Sequence, residues 1–163
     1  MMIKHTLIIA LTIFLFSCSD SGEKITKEMM LSISDEFTQS FETRDITVYE
    51  KYMDPTSKFT VVNDPENDSV GEIVSYETAL NGIKKVMSME AEITTQVDII
   101  SSSIDAKKNQ GTIEEKSTTK MFIEEAGVTI ESVSLSKTTY GYINGQVKII
   151  ESSQVAISTN IDN

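Results

Sequence analysis

From Glu90 to Asn163 the chain contains no proline, is dominated by Ile, Val and Thr, and is broken by three turn signals: Asn109-Gln110-Gly111, Ala126-Gly127 and Asn144-Gly145. Asn and Gly at such points supply the positive φ that tight hairpins demand. The pattern predicts four strands in a meander. The turns fall about sixteen residues apart, whereas an ordinary strand has about five or six residues. Strands of this length must bend and twist. A sheet made of them has a concave face that something has to cover.

The cover is written earlier in the chain. Met29, Ile33, Phe37 and Phe41 recur every fourth residue with Met30 beside them, and Thr26 can accept from the first free backbone N–H groups. This predicts an amphipathic helix from Thr26 to about Thr43. Asp45 can cap a shorter helix through Val48, Tyr49 and Tyr52, which Asp54-Pro55 must end because the residue before proline avoids helical angles. Lys58 to Val62 reads as a short strand and Asn63 to Ser69 as a loop. A third helix follows from Ser75, with Ala79, Leu80, Ile83, Val86 and Met87 on one side. Methionines 29, 30, 87 and 89 sit at helical spacing and read as core filler. Helices first and an antiparallel sheet afterwards define an α+β domain in which three N-terminal helices pack on one face of a strongly curved antiparallel sheet.

Four stretches carry a family resemblance: the first helix, "FETRDITVYEKYMDPTSKFTVV", "YETALNGIKKVM" and the closing "YINGQVKIIESSQV". Together they resemble the NTF2-like (cystatin-like) superfamily, which includes SnoaL-like and ketosteroid-isomerase-like domains. The resemblance covers most of residues 26–158 and rests on spacing. The family's last hairpin often reads Asp-Gly-x-Trp-Lys-Ile, and Asn144-Gly145-Gln146-Val147-Lys148-Ile149 departs from it with Val147 in place of the tryptophan. The resemblance implies a cone with a pocket, a carboxylate in that pocket, and a homodimer formed through the sheet.

The start of the chain concerns location. Lys4 and His5 precede an apolar run from Leu7 to Phe16 broken only by Thr12, the layout of a secretory signal. That run is about half of the roughly twenty residues needed to span a bilayer. Leu15-Phe16-Ser17-Cys18 resembles the lipobox of bacterial lipoproteins, which implies that Cys18 becomes the first mature residue and carries a diacylglycerol thioether. The division is then a signal peptide over 1–17, a small polar tether over 18–25 and the NTF2-like domain over 26–163. The expected partner is the membrane, reached through the lipid on Cys18. Ser19 after the cysteine looks like delivery to the outer membrane of a Gram-negative cell envelope. Cys18 is the only cysteine, so no disulfide forms within the chain and the core alone holds the fold.

Inventory excludes several chemistries. The net charge is −11 and Arg44 is the only arginine, so nucleic acid is not an expected partner. The one histidine, His5, lies in the signal, which removes Ser-His-Asp and Cys-His catalysis and the usual zinc sites from the domain. No cofactor fingerprint is present. Asp64, Glu66 and Asp68 alternate as in a calcium loop, but Ser69 stands where glycine is required and Ser75 where the bidentate glutamate belongs, so no metal site is assigned.

Carboxylates and tyrosines remain. Strict alternation puts Val147, Ile149, Glu151, Ser153, Val155 and Ile157 on one face, and Ile113, Glu115, Ser117, Thr119, Met121 and Ile123 on one face of the preceding strand but one. Glu151 and Glu115 are therefore candidate general bases or ligand anchors. One bulge would reverse the parity, and Gly141 marks a place for such a break. Tyr140, Tyr142 and Ile149 are candidate pocket residues. Asp54 falls near where relatives place a pocket acid, though Asp-Pro also completes a turn. The expected function is a lipid-anchored envelope module that binds a small hydrophobic ligand or another envelope protein without catalysis. The rival is a cofactor-independent isomerase or hydrolase with a pocket carboxylate as base.

Overall fold

The computed structural model describes residues 23–62 and 71–162. The expected signal with Cys18, and the expected Asn63–Ser69 loop with Asp64, Glu66 and Asp68, lie outside the described residues. Helix α1 spans Lys27–Thr43 with Thr26 as its N-cap, whose side chain accepts from the Met29 N–H. Arg44 closes α1 in the left-handed region at φ 62°. The apolar stripe turns inward: Met30 and Ile33 are buried and Phe37 packs against them. Helix α2 spans Thr47–Tyr52. It starts one residue later than a cap at Asp45 predicts, yet Asp45 does the capping work, accepting from the Thr47 N–H at 3.0 Å and its hydroxyl at 2.6 Å. Helix α3 spans Tyr76–Met87, with the Ser75 side chain accepting from the Thr78 N–H.

The strands are β1 (Lys58–Val62), β2 (Glu72–Val74), β3 (Glu92–Asp105), β4 (Gln110–Ile123), β5 (Val128–Ile143) and β6 (Gln146–Asp162). The four long strands follow the predicted meander, and Asn144 and Gly145 both take positive φ, at 52° and 76°, as a tight Asn-Gly hairpin requires. Two features depart from expectation. Strand β2, three residues long, lies antiparallel to β1, and β1 lies parallel to β6, giving the order β2-β1-β6-β5-β4-β3. Met89, expected in the core, is 38% exposed, because α3 ends at Met87 and the chain turns out before β3.

Curvature comes from bulges. Ile100 is the extra residue where β3 meets β4, and Ile150 and Ile157 are the extra residues where β6 meets β5. Each inserts one residue against none on the partner, which bends the strand and exchanges its faces. The curved sheet is solid at the end carrying the 109 and 144 turns. There Ile25, Met30, Ile113, Tyr140 and Ile149 form the core, with Ile113 and Met30 fully buried. Gly111 belongs to this tip: a Cβ on it would run into the Met30 sulfur and come within 2.7 Å of Ile25. The residues before α1 are pinned at the same place. The Asn109 side chain accepts from the Ile25 N–H and donates to the Glu23 carbonyl, both at 2.9 Å. At the opposite end Ile157 and Ile161 of β6 are 49% and 63% exposed. The domain is closed at its tip and uncovered at the far strand ends.

Candidate functional site: a cavity under the helices

Between the three helices and the concave face of the sheet lies a cavity of about 700 Å³. Its two walls differ in chemistry. The helix side and the β1–β2 side supply Phe37, Phe41, Tyr49, Phe59, Ile83 and Val86. The sheet side supplies hydroxyls in register: Ser117 opposite Ser134, Thr119 opposite Ser132, and Thr138 opposite Ser152. Side chains directly opposed in an antiparallel ladder share a face, so the polar wall follows from pairing alone. Some of these hydroxyls already satisfy one another, Thr138 with Ser152 at 2.9 Å and Thr95 with Thr119 at 3.3 Å.

Glu115 is on this wall, as alternation from Ile113 predicts, since β4 runs from Ile113 to Glu115 in step with β5. Its carboxylate accepts from the Ser34 hydroxyl on α1 and, at 3.5 Å, from the Ser136 hydroxyl opposite it on β5. Glu115 is the one charged residue lining the cavity among the described residues. Tyr140 and Ile149 also line it, both within the core. Burial, reinforced by the charge of Glu115, pushes the Tyr140 hydroxyl far up from its ordinary pKa. Tyr49, whose ring lies 4.8 Å from that of Phe37, is pushed up to about 12 by burial, with a Ser40 hydrogen bond opposing.

Glu151 is not in the cavity. Ile150 is the extra residue opposite the Thr139–Tyr140 step, so the parity set by Ile149 is reversed, Ser152, Gln154 and Ala156 turn inward, and Glu151 is exposed. Gly141 is what admits the bulge: a Cβ there would sit 3.0 Å from the Ile150 side chain. Tyr142 is half-buried at the tip and reaches the Glu23 carboxylate at 3.4 Å, outside the cavity lining. Asp54 completes a turn after α2, accepting from the Thr56 N–H at 2.9 Å and hydroxyl at 2.6 Å, contacts that hold its pKa down. It does not line the cavity either.

Sequence reasoning missed Ser34 and the serine rows. Ser34 had a readable sign, because it falls four residues after Met30 and three before Phe37, a polar residue inside an apolar stripe. A second, shallower groove of about 790 Å³ lies outside, where α1, α2 and the start of β6 meet. Three of its charged lining residues are in ion pairs, Lys51 with Glu36 at 2.8 Å, Glu36 also accepting from the Tyr52 hydroxyl at 2.9 Å, and Glu50 with Lys84 at 2.9 Å, while Lys148 donates to the Lys51 carbonyl. Among the described residues no cluster of three or more His, Cys, Asp or Glu side chains could hold a metal ion.

Solved structures superpose on this arrangement of helices over a curved sheet. An NTF2-like protein from Cytophaga hutchinsonii matches with a TM-score of 0.57 at 15% identity, over 82% of this chain and 100% of that one. The fold is NTF2-like. A conserved protein from Planctomyces limnophilus matches with a TM-score of 0.65 at 8% identity, over 78% of this chain and 93% of that one. A type 2 hexachlorocyclohexane dehydrochlorinase matches with a TM-score of 0.62 at 10% identity, over 82% and 86%. At these identities the likeness concerns the NTF2-like fold alone. No protein-family model and no curated protein matches the sequence.

Proposed function

We propose that this chain is a lipid-anchored cell-envelope protein whose NTF2-like domain binds a small amphipathic molecule without transforming it. One observation carries the binding half: a cavity of about 700 Å³ with an apolar wall, a hydroxyl wall and, among the described residues, a single carboxylate, Glu115. Cavities of this size and composition suit one small organic ligand. The proposal of binding without catalysis rests on the rest of the lining. Beside Glu115 the titratable groups are Tyr49 and Tyr140, both pushed up by burial, so neither yields a proton near neutral pH.

The anchoring half rests on the order of charge, apolar run and cysteine ending at Cys18. A thioether-linked diacylglycerol with two or more acyl chains holds a protein stably on a bilayer. Glu23 is pinned to Asn109 at the closed tip, and the five steps from Cys18 to Glu23 span at most roughly 17 Å. On this reading the tip faces the membrane and the uncovered strand ends face away from it.

Replacing Cys18 with alanine and fractionating cells tests the anchor: the variant is expected to accumulate unprocessed or to leave the membrane. Normal processing with continued sedimentation in the membrane fraction overturns it. Native mass spectrometry of protein extracted from its own membranes tests the binding half through a retained small molecule. A second reading, proton abstraction by Glu115, draws on its place on the cavity wall and on the dehydrochlorinase among proteins of similar fold. It requires a substrate that disappears with the wild-type chain and persists with Glu115→Gln.

A further inference from the structure

We infer that the molecule taken by this cavity is a protonated amine on an apolar body, an inference that rests on the binding reading above. The distribution of charge decides it. Of the described residues lining the cavity, Glu115 alone is charged, and no Lys or Arg faces it. An anionic ligand would meet a carboxylate with no cation to offset it, in a chain whose net charge is −11. A neutral apolar ligand would leave the lone pairs of Glu115 that the Ser34 and Ser136 hydroxyls do not fill facing hydrocarbon, which costs free energy because nothing replaces their water. A cation is the complementary occupant.

The surroundings of Glu115 narrow this to a cation with N–H groups. Glu115 and Ser117 on β4 stand opposite Ser136 and Ser134 on β5, a block of four polar side chains on the inner face. A primary ammonium has three donors and no acceptor, and this block offers acceptors only a few ångströms apart across the ladder. The carboxylate has about four lone-pair positions, and its recorded partners are the Ser34 and Ser136 hydroxyls. The Ser134 oxygen accepts from the Gln154 amide at 3.1 Å, which fixes it as part of the block. Phe37 stands one helical turn beyond Ser34 on α1, and Tyr49 packs on Phe37 with ring centroids 4.8 Å apart, so aromatic rings belong to the same cavity wall as Ser34. Toward the tip the buried Tyr140 lines the cavity. The ammonium is therefore placed at Glu115 and the apolar body along Phe41, Ile83 and Val86.

The test uses the full chain in lipid nanodiscs, titrated calorimetrically against empty nanodiscs, with three probes of one shape: 2-phenylethylamine, 2-phenylethanol and 3-phenylpropanoate. A hydrogen-bonded charge pair outweighs a neutral contact by about tenfold or more in affinity. The amine is expected to bind at least that much more tightly than the alcohol and the acid not at all. In Glu115→Gln the amine should fall to the level of the alcohol while the alcohol is unchanged. Ser117→Lys, which sets an ammonium of the protein's own beside Glu115, should abolish amine binding, and it answers the question should the glutamine variant not fold. Equal binding of amine and alcohol to the wild type, or an amine preference surviving both substitutions, overturns the assignment while leaving a binding cavity in place. Failure of all three probes overturns the assignment and the binding reading together.

Discussion

At the scale of the residue, two phenols packed into the interior, Tyr140 buried and Tyr49 half-buried, tie it to alkaline pH. The folded chain holds Tyr49 up to about 12 by burial, while an unfolded tyrosine ionises near 10. The folded state therefore keeps a proton that the unfolded state gives up, and the stabilisation is whole below about pH 10 and is lost as pH rises through 12. Two units correspond to roughly 2–3 kcal/mol. Tyr140 is displaced in the same direction by burial and by the charge of Glu115 and adds to the effect. Denaturant midpoints measured from pH 8 to pH 11.5 should fall steeply above pH 10, and Tyr49→Phe should make that fall shallower. An unchanged slope in the phenylalanine variant would show that Tyr49 does not hold its proton in the folded state.

At the scale of the element, glycine is tolerated for different reasons in β5 and α3. In β5, Gly141 leaves room for Ile150 and thereby permits the bulge that re-aims β6. In α3, Gly82 has nothing within 4 Å of where a Cβ would stand. It weakens the helix without serving a contact, and alanine there should raise stability by about 0.5–1 kcal/mol, read as a higher urea midpoint at unchanged slope. Destabilisation would mean that the cavity, which Gly82 borders, cannot accept the methyl group. The same contrast explains what was legible in the sequence. Helix α1 and the meander announced themselves through four-residue spacing and Asn/Gly turns, because those patterns are local. Glu115 was placed correctly because no bulge separates it from Ile113 in the β4–β5 pairing. Glu151 was not, because the inserted residue is Ile150, a good strand former whose presence leaves the alternation looking unbroken. Ile100 and Ile157 hide the other two bulges in the same way. Strand β2 escaped notice because three residues carry too little pattern to stand out, and its pairing with β1 is a tertiary fact.

At the scale of the whole molecule, charge and fold oppose each other. A net charge of −11 repels itself more in the compact state than in the expanded one, whereas five ion pairs among the described residues, including Lys120–Glu131 and Lys137–Glu114 at 2.9 Å on directly opposed strand positions, draw it together. Magnitudes decide the sign of the response to salt. The lysines of these pairs are about half exposed or more, from 46% to 71%, and exposed pairs contribute on the order of 0–1 kcal/mol each. Salt weakens them only slightly because the partners are in contact. The repulsion is spread over distances comparable to the Debye length, which shrinks from about 30 Å at 0.01 M to about 8 Å at 0.15 M, so salt removes most of it. The repulsive part should yield first, and raising sodium chloride from 10 mM to 150 mM should lift the thermal midpoint by about 2–4 °C, equivalent to roughly 1 kcal/mol for a domain of this size. A falling midpoint would mean that the strand-face ion pairs outweigh the net charge, and that the outer surface of the sheet owes more to Lys120, Lys137 and their partners than the exposure of those side chains implies.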